Sequence, residues 1–384
     1  MAAGQAAASK QKPKIALVLQ GGGALGAYHI GAYQALHEAG LEPDWFSGIS
    51  IGAINACVLA GNKPEHRLSQ LEALWEDISR DNMTGLYLHG SLRRLYNQFN
   101  FMEAVWMGQP NFWTPRFPSP LLFNDVDPQA ASFCDTAPMR NTLQRLANFE
   151  LINATDGSGA RLSLGATKVT TGELKFFDNR TTPKCKIGPE HVLASGSLPP
   201  GFPATEVDGE LYWDGGCVSN TPLDAIFQDD SDGHTLVFMV DLWDSHGAAP
   251  RNMDEVNWRQ KQIQYASRSS ENIRSLAARH NHRRVLHQLS QKVDVKAVSD
   301  HLDLAAHNGN AHFDIVHLIY QPASDQISDS DAEFSRPSIL ERRNVGYADM
   351  KKALAESPWV KKSPNVGTAV HTVRGQQISS AVPA

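Results

Sequence analysis

The chain has 384 residues, 41% of them hydrophobic and 20% charged, with 35 Lys and Arg against 41 Asp and Glu. That balance suits one large or two smaller globular cores and excludes a disordered chain. A net charge of −6 without a concentrated basic surface argues against nucleic acid as a partner. The four cysteines, Cys57, Cys134, Cys185 and Cys217, form no CxxC pair, so neither a zinc knuckle nor a disulfide framework is expected, and reduced thiols in a cytoplasmic protein are the simplest reading. No metal and no cofactor are expected.

The opening MAAGQAAASKQKPK lacks the continuous apolar run of a secretory leader, and residues 1–13 read as a flexible tail. KIALVLQ, residues 14–20, is a short apolar run ended by glycines, as in a buried parallel strand. ALGAYHIGAYQALHEAG continues with apolar residues at helical spacing, and Gly40 is a stop signal. PDWFSGIS is a second strand, and AINACVLAG starts a second apolar helix ending at Gly61. Two strand–helix units within sixty residues predict a parallel sheet with right-handed crossovers.

Residues 64–80 form an amphipathic helical pattern. From Tyr96 to Phe123, aromatics mixed with Pro and Gly suggest an irregular insertion over the sheet, which either packs onto the core or walls an apolar pocket. ARLSLGATKVTTGELKFFDN, residues 160–179, reads as a hairpin, and ELYWDGGCVSNTPL as a short strand followed by turns. TLVFMVDLW is another buried strand. A polar helical stretch follows from Met253 to about Val293, then a strand FDIVHLIYQ and a last helix near ILERRNVGYADMKKALAES. No apolar run approaches the ~20 residues of a membrane-spanning helix.

Gly21, Gly23 and Gly26 satisfy GxGxxG between strand and helix, the spacing of a dinucleotide pyrophosphate site. That reading requires an acidic residue at the far end of the second strand, and Asp44 stands at its start. The far end carries GISIG instead, with Ser50 flanked by Gly48 and Gly52 at a strand-to-helix turn, the setting of a nucleophile elbow. If the two strands are neighbours, the glycine N–H groups lie beside Ser50, and the anion they serve is the oxyanion of an acyl intermediate. A serine hydroxyl needs a base. His280, His282 and His287 sit among Arg279, Arg283 and Arg284 on a solvated face, His29 reads as packing and His317 as a sheet residue. Asp214, followed by Gly215 and Gly216, is the better candidate, since the glycines let the backbone bring a carboxylate close to another loop.

GGGALGAYHIG, GISIGAINA and YWDGGCVSNTPL, in that order, resemble the three signature blocks of the patatin-like phospholipases, and ASGSLPPGFP resembles a further block of bacterial members. The resemblance covers roughly residues 14–245. It implies an α/β fold of three layers with a mainly parallel central sheet flanked by helices. It also implies catalysis by Ser50 with Asp214 as its only partner, and an oxyanion hole from Gly21, Gly22 and Gly23. Leu25 stands where members often carry a basic residue in GGGxRG. The domain division expected is a catalytic domain over 14–245, a mostly helical extension over 246–360 packed on it, and a mobile tail over 361–384.

The function implied is a serine acyl hydrolase on lipid esters, located in the cytoplasm or peripherally at the inner face of a membrane, with oligomeric state open. The alternatives are an esterase or depolymerase for short-chain or polymeric hydroxyalkanoate esters, a non-catalytic lipid-binding module, an α/β-hydrolase with a histidine base, and a nucleotide-dependent oxidoreductase resting on GxGxxG alone.

Overall fold

A computed structural model describes residues 13–81, 83–181, 185–229, 233–290, 311–323, 326–360, 367–375 and 377–381. The chain begins with β1 (Lys14–Leu19), α1 (Tyr28–Glu38), β2 (Trp45–Gly48), α2 (Ile51–Ala60) and α3 (Pro64–Asp77). An excursion follows, with α4 (Gly90–Met107), a small ladder of β3 (Thr114–Pro115) and β4 (Cys134–Asp135), then α5 (Ala137–Leu146) and the single turn α6 (Phe149–Ile152). The chain re-enters the sheet through β5 (Arg161–Lys168) and β6 (Leu174–Asp178), crosses by α7 (Pro189–Ser195), and continues through β7 (Thr205–Val207), β8 (Glu210–Asp214), α8 (Asp224–Phe227) and β9 (Gly233–Asp241). The remainder is α9 (Met253–Ser290), β10 (Ala311–Ile319), α10 (Arg336–Glu356), β11 (Thr368–Arg374) and β12 (Gln377–Ala381).

Ten strands share one sheet in the order β12-β11-β10-β9-β1-β2-β5-β8-β7, with β6 also paired to β5. The six strands from β11 to β5 are mutually parallel. The period-two rule explains how β1 divides the core. Ile15, Leu17 and Leu19 join α1, α2 and α3 on one face, while Ala16 and Val18 join Leu223, Ile226, Ile273 and Leu276 of the α8–α9 side on the other. Helices therefore cover both faces, which is why the central strands are apolar throughout.

Two expectations require correction. The segment read as a mobile tail supplies β11 and β12: TAVHTVR buries Thr368, Val370 and Val373 and pairs in parallel with β10, and β12 folds back on it. Its polar residues conceal the alternation, because Thr and His share the inward positions with Val. The 246–360 segment adds β10 to the same sheet beside β9, so it is continuous with the preceding residues and not a helical layer packed outside them. Residues 1–12, 291–310, 361–366 and 382–384 lie outside the described residues, including the expected N-terminal tail and the end of the long helix.

The Tyr96–Phe123 insertion begins as helix up to Met107 and is irregular only beyond it. Phe112 and Trp113 pack with Phe202 and Phe334, ring centroids 5.4–5.9 Å apart. Other apolar residues of the insertion face outward. On α4 the buried positions are Arg93, Asn97, Asn100 and Ala104, whereas Leu92, Leu95, Phe99, Met102 and Trp106 are exposed. The polar face of α4 is turned inward because the Arg93 guanidinium donates to the Gly85 carbonyl at 2.6 Å and to Ser338 Oγ at 3.0 Å.

Candidate active site

Neighbouring β1 and β2 deliver two turns to the same carboxyl edge of the sheet. Ser50 lies between β2 and α2 with φ 57° and ψ −128°, a conformation that costs a non-glycine residue roughly 1–3 kcal/mol. What makes this turn possible is the absence of two side chains. A Cβ on Gly48 would lie 2.3 Å from the Gly52 carbonyl oxygen, and one on Gly52 would lie 2.1 Å from that of Leu19. Strand and helix approach so closely that only GxSxG fits.

The Ser50 N–H donates to the Ser195 carbonyl at 3.0 Å and to Ser195 Oγ at 3.2 Å, while Ser195 Oγ donates to the Gly165 carbonyl at 2.6 Å. Two residues on, the Ser197 carbonyl accepts the Asp214 N–H at 2.9 Å. The ASGSLPPGFP segment thus holds both turns, through Ser195 and Ser197, a role the sequence reading did not assign to it.

Asp214 ends β8 and is buried, 1% exposed. Its Oδ1 accepts the Gly216 N–H at 2.7 Å, and its buried Oδ2 has no partner of regular hydrogen-bond geometry. Burial raises its carboxyl from 3.8 to about 7, against the Ser50 hydroxyl and the Gly216 N–H, which both lower it. The Ser50 hydroxyl is thus one of the two groups that oppose burial at the Asp214 carboxyl, and burial prevails. Four of the described histidines hydrogen-bond elsewhere: His29 meets Asn55, His317 meets Asp241, His191 meets Gly188, and His280 meets Thr368. His280 is accordingly not on the solvated face expected for it. Its ring lies edge-on to Phe313 and is half-buried, because α9 packs that side onto the sheet.

The glycine loop lies alongside Ser50: a Cβ on Gly21 would be 2.9 Å from that of Ser50 and 2.4 Å from Asn220 Oδ1. Of the three glycines expected as donors, Gly21 is already engaged, its N–H donating to the Asn220 carbonyl at 3.3 Å. Among the described residues, the N–H groups of Gly22 and Gly23 meet no acceptor. Gly23 has φ +54°, and a side chain there would strike the Asp331 carbonyl. Gly26 leaves room for Ile51, and Gly215 for the Gly165 carbonyl.

The loop is fixed by side chains other than the motif's glycines, serine and aspartate. Asn220 Nδ2 donates to the Gly21 carbonyl at 2.9 Å, as does Trp243 Nε1 at 3.0 Å. Gln20 Oε1 accepts from Leu242 N–H at 2.6 Å, and its Nε2 donates to Thr221 Oγ1 and to Ser269 Oγ of α9 at 3.0 and 3.1 Å. From α10, buried Arg342 donates to the carbonyls of Ala24, Glu333 and Ser330, each at 3.0 Å. A cation thus reaches the glycine loop although Leu25 replaces the usual basic residue. No local pattern marks Arg342, which is 318 positions away from Ala24.

These features define a three-layer α/β protein with a strained serine elbow, a buried carboxylate and a glycine loop meeting at one sheet edge. The chain belongs to the patatin-like phospholipase family: the family model described as "Patatin-like phospholipase" matches residues 17–227, and one described as "Patatin phospholipase" matches residues 263–366. It is similar to triacylglycerol lipase ptl3 of Schizosaccharomyces pombe, 52% identical over 54 residues, 14% of this chain and 11% of that protein. It is also similar to patatin-like phospholipase domain-containing protein 6 of Mus musculus, 44% identical over 61 residues, 16% of this chain and 4% of that protein. The matched stretches therefore span about a tenth or less of these relatives. Among solved structures, VipD from Legionella pneumophila aligns with a TM-score of 0.34 and 16% identity over 87% of this chain and 67% of that one.

Proposed function

We propose that the protein is a serine acyl hydrolase that cleaves ester bonds of lipids with a Ser50–Asp214 dyad. The observation that carries this reading is the pairing of a strained, reachable serine with a buried carboxylate raised to about 7. An ordinary carboxylate is too weak a base for a hydroxyl, and a raised one is matched to neutral pH. Asp214 accepts the Ser50 proton as Oγ bonds to the ester carbonyl carbon. The oxyanion forms against the N–H groups of Gly22 and Gly23, assisted by the N-terminal end of α2. Collapse expels the alcohol, which takes the proton back from Asp214. Water then attacks the acyl-enzyme, Asp214 accepts its proton, and the free acid leaves as Ser50 is reprotonated.

The outward apolar face of α4 supports a lipid aggregate as the source of substrate. A second exposed apolar set, Phe117, Leu121 and Leu122, lies in a loop tied to the site by hydrogen bonds. Arg116 N–H donates to the Phe133 carbonyl at 2.8 Å, and Phe133 N–H donates to that of Pro200 at 3.1 Å, in the segment that holds Ser50 and Asp214. No helix of the described residues is long and apolar enough to cross a membrane. Short-chain or polymeric esters are the competing substrates and would not call for this face.

The test is covalent labelling with an alkyl fluorophosphonate followed by peptide mapping. Label on Ser50, absent from Ser50→Ala, together with turnover that survives every single His→Ala change, supports the dyad. A folded protein that takes no label, or a folded His→Ala variant without activity, overturns it.

A further inference from the structure

We infer that His234, His312 and Asp314 form a binding site for a divalent transition-metal ion of the zinc class, remote from Ser50. His234 belongs to β9, and His312 stands beside it in register on β10. Asp314, two residues further along β10, projects from the same face. His234 Nε2 lies 2.7 Å from Asp314 Oδ2, and His312 Nε2 lies 3.8 Å from that same oxygen. All three donor atoms fall within 4.8 Å of one another. Zinc held by imidazole and carboxylate at about 2.0–2.2 Å separates its tetrahedral ligands by about 3.4 Å, a spacing these distances bracket.

The two imidazole rings stand with centroids 5.3 Å apart and converge on the same Asp314 carboxylate oxygen. A metal ion between them would be held by all three donors. The surroundings have the outer arrangement such sites use: His371 Nε2 lies 3.3 Å from the second oxygen, Asp314 Oδ1, and its Nδ1 lies 2.9 Å from Ser380 Oγ. Asp314 is 7% exposed, whereas the side chains of His234 and His312 are 27% and 30% exposed, leaving a way in and a place for a water ligand.

These residues start β9 and β10, while the serine elbow lies off the opposite ends of the strands. With nine residues in β9 at ~3.3 Å each, the separation along the sheet is on the order of 25 Å. The ion would therefore cross-link β9 to β10, the junction between the strands that carry the active site and those added by the C-terminal third of the chain.

The full chain, stripped with EDTA and dialysed, is titrated with zinc chloride by calorimetry and with cobalt(II) by visible absorption. One ion per chain is expected, with the d–d bands of tetrahedral cobalt and a rise in Tm on adding zinc. His234→Ala and His312→Ala each weaken binding roughly tenfold or more, and His371→Ala weakens it by about 10- to 100-fold, as loss of an outer-shell partner does. His312 is partly exposed, so its variant keeps the fold, checked by circular dichroism. Absence of saturable binding overturns the proposal. So does binding left unchanged in His234→Ala/His312→Ala, which would place the ion on others of the fifteen histidines.

Discussion

Replacing Asp214 by Asn separates the energetic role of the carboxylate from its shape. The rise from 3.8 to about 7 corresponds to about 4 kcal/mol between the two protonation states. Unfolded, the carboxyl loses its proton at about pH 4; folded, it does so near 7, so the folded state holds the extra proton in between. Stability from this group is therefore complete below about pH 4, is lost as pH rises to about 7, and above that the full penalty remains. Asn keeps the volume and still accepts the Gly216 N–H, but it buries an amide with no assured acceptor, at a cost of about 1–3 kcal/mol. That cost does not vary with pH. Urea denaturation at pH 5 and pH 8 should show the stability of Asp214→Asn relative to the parent increasing by about 2–3 kcal/mol between the two. Over the same range, hydrolysis of a soluble ester by the parent rises with the carboxylate fraction, roughly tenfold from pH 6 to pH 8, while the variant loses roughly 10²–10⁴ in rate. A stability difference that is the same at both pH values would refute a raised carboxyl at this position, and with it the argument for Asp214 as base.

The elbow depends on bare backbone, so Gly52→Ala, with its Cβ 2.1 Å from the Leu19 carbonyl, should lower stability by roughly 3 kcal/mol or leave the chain unfolded, read by thermal melting. Arg342→Met strips three buried carbonyls and Glu333 of their cation and should cost about 3–5 kcal/mol; because one of those carbonyls is that of Ala24, ester turnover should fall with it. If α4 meets lipid, Phe99→Asp with Trp106→Asp should raise the vesicle concentration needed for half-maximal hydrolysis by roughly 10²- to 10⁴-fold, given about 1.5–3 kcal/mol for burying each of the two large apolar side chains. The same double variant should leave hydrolysis of a soluble short-chain ester unchanged; equal losses on both substrates would point to damage at Ser50.

The sequence by itself determined the local parts of this molecule. Short continuous apolar runs place β1, β2 and β9, and apolar residues at helical spacing place α1, α2 and α10, because each is a short-range pattern with a glycine or proline near its end. Gly48, Ser50 and Gly52 were legible for the same reason, since the steric demand of the turn falls on adjacent residues. Asp214 was reached through its following glycines and a family resemblance.

Tertiary structure decided what depends on partners far along the chain. Only packing shows that Gly21 spends its N–H on Asn220, that Ser195 and Ser197 hold the two turns, and that Gln20 and Arg342 fix the glycine loop from opposite directions. Only the strand order reveals that TAVHTVR is sheet and that β10 continues the sheet beside β9. It also decides that His234 stands beside His312 and Asp314. The physical reason is common to all of these: hydrogen bonds and strand pairs between distant segments leave no period in the sequence, and they acquire their meaning only when the fold brings the partners together.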